Sequence, residues 1–283
     1  PGFRLFLRLS DPIRTVMPIK VIVFDFDGTL FDTRADIVTA VNRAREAYGL
    51  PPLDFDRVVA MVGNGVTVLA ERVFRDSTVV PEIGRDKIME FYAPEASRAT
   101  PYPGVAEVLP QLPARLAIVS NKPVSLVRAL LEREGLDSLF EFIAGGDTFE
   151  KPKPDPMALQ SIMERFQVEP SEVLMVGDHS PDIEMAHAAG VYSVYCNYGF
   201  FGNDRVGADF TIDSFPELIE VVARINAGGV KQGGRKGTKP RPEARPTSRG
   251  KGRLLRRGGK QRQNERRRDR KSRRPKGKDS SRG

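Results

Sequence analysis

The sequence predicts an α/β protein: a Rossmann-like parallel sheet covered by helices on both faces, a small all-helical insert directly after the first strand, and a basic tail. Three observations carry that expectation. Lys20-Val21-Ile22-Val23-Phe24-Asp25-Phe26-Asp27-Gly28-Thr29-Leu30 is a β-forming run, apolar on both faces, which is the pattern of a strand buried in a parallel sheet. From Arg115 onward, short apolar β-forming runs alternate with segments of helical period, which implies parallel strands joined by crossover helices. Between Asp32 and Thr100, helical spacing is present and no convincing strand interrupts it.

Taken in order, Ile37, Val41, Ala44 and Tyr48 recur at helical spacing, and Gly49 stops that helix before Pro51-Pro52. A second amphipathic stretch holds Val66, Leu69, Ala70, Val73 and Phe74. A third holds Ile88, Phe91 and Tyr92 and is kinked or ended by Pro94. The chain returns to the sheet through Thr100-Pro101-Tyr102-Pro103-Gly104, a turn-rich hinge. Strands are then expected at Arg115–Ser120, Phe142–Ala144, Val173–Gly177 and Val191–Tyr195. The helices between them begin at Pro123, at Asp155-Pro156 and at Ser180-Pro181, and Gly135 and Gly190 close the first and third. Ser214-Phe215-Pro216-Glu217 has capping-box spacing for a last helix carrying Leu218, Val221, Val222 and Ile225.

The domain expectation is a core over 17–33 and 100–226, a helical cap over 34–99, and a disordered basic tail over 227–283. Pro1 to Val16 precede a plausible natural start at Met17 and are left out of the fold. The net charge of +8 conceals a segregation. Residues from Ala227 on hold 23 basic and 4 acidic side chains, and residues 1–226 hold 22 and 33. Such a tail could be a plain solvated extension or a polycation for nucleic acid or anionic lipid. It lacks aromatics to stack on bases, so binding there would be electrostatic and salt-sensitive. There is no apolar run of membrane-span length. The single cysteine, Cys196, excludes an internal disulfide framework and suits a reducing cytoplasm.

Three expected strands end in polar residues: Asp25 and Asp27, Ser120 and Asn121, and Asp178. Parallel strands place their carboxyl ends on one edge, so these groups should converge. Two acids one residue apart at a buried strand end are costly unless a metal or chemistry uses them. Lys151, before Pro152-Lys153-Pro154, follows a fourth strand. Each residue alone also has a bland explanation: Asp27-Gly28 a turn, Ser120-Asn121 a helix cap, Asp182 a first-turn acid.

Together these residues resemble the haloacid dehalogenase superfamily of phosphohydrolases. Asp25-Phe26-Asp27-Gly28-Thr29 is similar to its first motif, Ser120 to its second, Lys151 to its third, and Gly177-Asp178 with Asp182 to its fourth, all in family order. The resemblance implies Asp25 as nucleophile in an aspartyl-phosphate route and Asp27 as acid, then base. It implies Mg²⁺ held by Asp25, the Asp27 carbonyl and Asp178, with Asp182 on a metal-bound water. Ser120 and the Asn121 amide would bind phosphoryl oxygens, and Lys151 would offset their charge.

Within the expected cap, Val62-Gly63-Asn64-Gly65, with Leu69 and Glu71-Arg72, resembles phosphoglycolate phosphatases, as do Ser120-Asn121-Lys122-Pro123 and Gly145-Gly146-Asp147. Gly63, Asn64 and Gly65 are therefore candidate substrate-contacting residues, although the same stretch also suits a plain helix–helix turn. The implied partner is a small phosphorylated metabolite, 2-phosphoglycolate first. A pyrophosphatase, a sugar-phosphate phosphatase, a phosphomutase and a nucleic-acid-associated protein acting through its tail stand as alternatives. His179 departs from the small hydroxyl residue common there and is given no role.

Overall fold

The first strand, β1 (Val21–Phe24), is fully buried and lies in the middle of the molecule's main sheet. A computed structural model describes residues 18–95, 98–202 and 207–228. After β1 come β2 (Phe31–Asp32), α1 (Arg34–Ala47), α2 (Phe55–Val59), α3 (Val66–Val73), α4 (Pro81–Glu95) and β3 (Thr100–Pro101). The chain continues as α5 (Val105–Val108), β4 (Arg115–Val119), α6 (Val124–Glu134), β5 (Phe140–Ala144) and α7 (Met157–Phe166). It ends the described fold with β6 (Val173–Gly177), α8 (Ser180–Ala189), β7 (Tyr192–Cys196), β8 (Phe210–Ile212) and α9 (Leu218–Asn226). The expectations for the tail from 229 on and for residues 1–16 lie outside the described residues.

Six strands form one sheet in the order β5-β4-β1-β6-β7-β8, and every pairing in it is parallel. β1 alternates between two cores. Ile22 and Phe24 join a large cluster with residues of α5, α6 and α9, while Val21 and Val23 join residues of α7 and α8 on the opposite face. A strand apolar on both faces requires this, because each face must be covered. Phe24 pairs with both Ile118 of β4 and Val176 of β6, so the three strands end level with one another. Asp25, Ser120 and Asp178 thereby emerge on one edge.

β2 and β3 form a separate antiparallel ribbon, Phe31 opposite Pro101 and Asp32 opposite Thr100, through which the chain leaves and re-enters the core. The four helices between them pack on one another, α1 and α3 both against α4. Among the described residues, Arg45 is the largest fully buried side chain. Its guanidinium donates to the Val73 and Pro51 carbonyls and to the Asp76 carboxylate, fastening α1 to the segments around it.

Some boundaries differ from expectation. The helix expected at Asp155-Pro156 starts at Met157, one residue past Pro156, and the Asp155 side chain accepts the Met157 amide at 3.0 Å, the bond expected of an N-cap. β8 and α2 were not anticipated; at three and five residues they are too short to show a period.

Candidate active site

Asp25 is the first residue beyond β1 and is buried. Its amide donates to the Val176 carbonyl at 2.9 Å, which extends the strand pairing by one residue and fixes where the carboxylate starts. The carboxylate oxygen Oδ1 lies 2.6 Å from Lys153 Nζ. Burial pushes the Asp25 carboxyl up to about 6; neighbouring Lys153 opposes that rise and Asp182 adds to it.

Asp178, at the end of β6, is fully buried, accepts the Thr29 hydroxyl at 3.2 Å and the Phe200 amide at 2.7 Å, and is raised well above the usual carboxylate range by burial and by Asp25 and Asp182. Asp182, in the first turn of α8, accepts the His179 amide at 3.1 Å and lies 2.7 Å from Lys153 Nζ. Asp182 therefore caps its helix and also lies beside Asp25 and Asp178. Carboxylate oxygens of Asp25, Asp178 and Asp182 all lie within 4.8 Å of one another. Three buried acids with Lys153 between two of them leave an excess of negative charge, and hard oxygen donors in that number suit a divalent cation. The residues present fit such an ion.

Gly28 makes the cluster possible. Its φ of +87° belongs to the left-handed region, and a Cβ there would sit 2.2 Å from Asp178 Oδ2. The glycine of the turn is thus also the space that admits Asp178.

Asp27 stands apart from the three acids. Its Oδ1 accepts two bonds, from the Thr33 hydroxyl at 2.7 Å and from Lys122 Nζ at 2.9 Å, which leaves Oδ2 for the cavity. Lys122 is buried, and its ammonium also donates to the Tyr92 hydroxyl of α4. Burial works against the Lys122 charge, but Asp27 and Tyr92 outweigh it and raise its pKa. Burial likewise pushes the Tyr92 phenol up to about 12, so it is a neutral hydroxyl at neutral pH.

Ser120 is buried beside these groups, with its amide on the Ala144 carbonyl and its hydroxyl accepting the Lys122 amide at 3.3 Å. The Asn121 side chain bridges elements. Its Nδ2 donates to the Gly63 carbonyl at 2.9 Å and its Oδ1 accepts the Lys153 amide at 3.1 Å. The segment carrying Gly63 is thus docked on the loop after β4.

The lysine at the site differs from the expected one. Lys151 is exposed and lies 3.5 Å from Asp155, four residues on in the same loop. Lys153, two residues later, is buried between Asp25 and Asp182. The Lys-Pro-Lys-Pro pattern offers two lysines on one side of the chain's alternation, and only the path of the loop chooses between them.

Of the three glycine-loop candidates, Gly63 and Gly65 line the cavity with Asp25 and Asp27, while the Asn64 side chain instead accepts Arg72 at 2.8 Å. Arg72 also holds the Met61 carbonyl, so Asn64 shapes the turn. His179 lines the cavity too, stacked on Phe201 at 3.9 Å between ring centres and packed where Gly63 lacks a Cβ. Thr33 and Tyr92 carry no signal as site residues in the sequence, and Lys122 stands there only within the Ser120-Asn121-Lys122-Pro123 resemblance, with no role of its own. Tyr92 reads in sequence as one of an apolar helical face, and only its hydroxyl, carried over the sheet edge, reaches Asp27's neighbour.

This fold sets a cluster of buried acids at the carboxyl edge of a parallel sheet, in a cavity also lined by residues of the helical insert. The chain belongs to the haloacid dehalogenase-like hydrolase family, whose model matches residues 22–196. It is 39% identical over 224 residues to the phosphoglycolate phosphatase of Vibrio parahaemolyticus, covering 74% of this chain and 98% of that one. It is 38% identical to the phosphoglycolate phosphatase of Vibrio cholerae, covering 72% and 97%. The crystal structure of a predicted phosphoglycolate phosphatase from Haemophilus somnus 129PT superposes with a TM-score of 0.69 at 29% identity, covering 72% of this chain and 97% of the other. The chain is accordingly an enzyme, similar to phosphoric monoester hydrolases. Among the described residues, no helix is long and apolar enough to cross a membrane.

Proposed function

We propose that the protein is a Mg²⁺-dependent phosphatase that hydrolyses 2-phosphoglycolate to glycolate and phosphate. The observation that carries the proposal is the second acid, Asp27, lining the same cavity as Asp25 but held away from the acidic cluster by Thr33 and Lys122. A carboxyl set apart in this way suits proton transfer to and from an ester oxygen. The substrate assignment is supported by the relatives' names and by a small cavity that carries two buried ammonium groups, Lys122 and Lys153.

In the first half-reaction an Asp25 carboxylate oxygen attacks phosphorus, the ester P–O bond breaks, and the leaving alkoxide takes the proton of Asp27. In the second, Asp27 accepts a proton from water as that water attacks phosphorus, and the bond between phosphorus and Asp25 breaks to release phosphate. Asp25, Asp178 and Asp182, with the Asp27 carbonyl, would hold Mg²⁺, which supplies charge neutralisation and orientation for the phosphoryl oxygens. Lys153 neutralises Asp25 and steadies Asp182, and Ser120 donates its hydroxyl to a phosphoryl oxygen. The proposal includes a cytoplasmic setting, supported by a single, free and buried Cys196, which needs no oxidising compartment.

The test is a panel of phosphate monoesters and pyrophosphate assayed with Mg²⁺, for the protein and for Asp25→Asn. Phosphoglycolate should rank first in kcat/KM, and the variant should show no turnover. Another ester or pyrophosphate ranking far above it would overturn the substrate, and a near-normal Asp25→Asn would overturn the mechanism.

A further inference from the structure

We infer that Lys122 and Tyr92 together form the subsite for a carboxylate on the substrate's leaving group, so that the enzyme selects phosphate esters of small 2-hydroxy acids. The inference rests on the phosphatase proposal above and adds the residues that choose the ester. Both groups are buried, both line the cavity of Asp25 and Asp27, and they meet across two parts of the chain. Lys122 comes from the loop after β4 and Tyr92 from α4 of the helical insert.

Donor counting carries the argument. An ammonium has three N–H donors, and Lys122 spends one on Asp27 Oδ1 and one on the Tyr92 hydroxyl. The Tyr92 oxygen accepts that bond, so its own proton remains to be given. Among the described residues, no acceptor takes the Tyr92 proton or the third Lys122 proton. Two donors left at adjacent buried positions are what a carboxylate, with its two oxygens, satisfies. Lys153 differs: two carboxylates, Asp25 and Asp182, already surround it. Lys122 has a single carboxylate partner and a neutral hydroxyl.

Position agrees with chemistry. Lys122 is bonded to Asp27, whose other oxygen must meet the ester oxygen of the leaving group. In a phosphorylated 2-hydroxy acid, one carbon separates that ester oxygen from the carboxyl carbon, which brings the carboxylate beside Lys122. The same cavity is also lined by the apolar side chains Ile37, Val66, Leu69, Ile88, Met89 and Leu126. Buried donors reward a ligand that pairs with them and penalise one of the same size that cannot.

The experiment compares 2-phosphoglycolate with ethyl phosphate, which has the same chain length and a methyl in place of the carboxylate. It measures kcat and KM for both esters in the full-length protein, in Tyr92→Phe and in Lys122→Met, with a thermal melt to establish folding. Lys122 also holds Asp27, so its loss should depress both esters; Tyr92→Phe is the sharper probe. The expected result is a preference for phosphoglycolate that falls at least ~10-fold in Tyr92→Phe, chiefly through KM, and further in Lys122→Met. A folded Tyr92→Phe that keeps the full preference would overturn the subsite while leaving the phosphatase proposal standing. A wild-type enzyme with no preference would overturn the substrate proposal and the subsite together. If Lys122→Met does not fold, Tyr92→Phe decides.

Discussion

Lys153 shows how much one side chain at this site must do. It lies between Asp25 and Asp182, and burial works against its charge while both carboxylates favour it, so its pKa stands above that of an ordinary lysine. Removing it would leave two acids buried without their counter-charge. Lys153→Ala should therefore lower kcat by at least ~100-fold, whereas Lys151→Ala should stay within about twofold of wild type. Steady-state kinetics on the pair checks this; equal losses would refute the assignment to Lys153. The sequence reading chooses Lys151, whereas burial between Asp25 and Asp182 selects Lys153, and burial depends on the path of the loop. The convergence of Asp25, Ser120 and Asp178 was legible because each directly follows a strand end, while Asp27 and Asp182 stand in the turn and the helix that follow two of those ends. Asn121 was expected to offer its backbone amide, and its side chain proves to link Gly63 to the Lys153 loop as well.

At the level of elements, the turn that follows β1 is the most constrained piece. Gly28 combines a left-handed φ with a contact that no side chain could share, since its Cβ would overlap the Asp178 carboxylate. Gly49, also left-handed at φ +69°, has nothing within 4 Å of its Cβ position. Gly28→Ala should thus displace Asp178, weaken Mg²⁺ binding and reduce turnover by ~100-fold or more, while Gly49→Ala costs about 1 kcal/mol of stability and leaves turnover alone. Titration calorimetry with Mg²⁺ and a urea melt separate the two effects; a Gly28→Ala protein with native Mg²⁺ affinity would contradict this account. The β-rich and helical segments themselves were largely readable, because β1 must be covered on both faces, Pro and Gly mark the ends of α6 and α8, and α9 carries Leu218, Val221, Val222 and Ile225 at helical spacing. The β2–β3 ribbon was not, since two residues per strand leave no alternation to detect and their pairing joins Phe31 to Pro101 across the whole insert.

For the molecule as a whole, the acidic cluster couples folding to pH and, if it holds the proposed cation, to metal. The folded state raises Asp25 from its ordinary value to about 6, so between about pH 4 and 6 the folded protein keeps a proton that the unfolded chain has released. That contribution to stability is present at low pH and is lost as pH rises to about 6, amounting to about 3 kcal/mol for a shift of this size. Asp178 is shifted in the same direction. A divalent cation requires the ionised carboxylates, so its stabilisation must grow over the same window. The difference in Tm between Mg²⁺ and EDTA should be small at pH 5 and increase by pH 7, and Asp25→Asn should remove most of that dependence. A Tm difference that stays flat from pH 5 to pH 7 would mean that these acids do not bind the ion.

The central strand, the convergence of acids at its end and the helical insert after it can be read from residue order alone. Those features follow from local periodicity and from the rule that parallel strands end on one edge. Tertiary structure decided which lysine neutralises Asp25, that Asn64 serves its turn, and that Tyr92 and Lys122 meet beside Asp27. The physical reason is that these outcomes depend on contacts between residues far apart in the chain, whose burial and donor pairing no local pattern encodes.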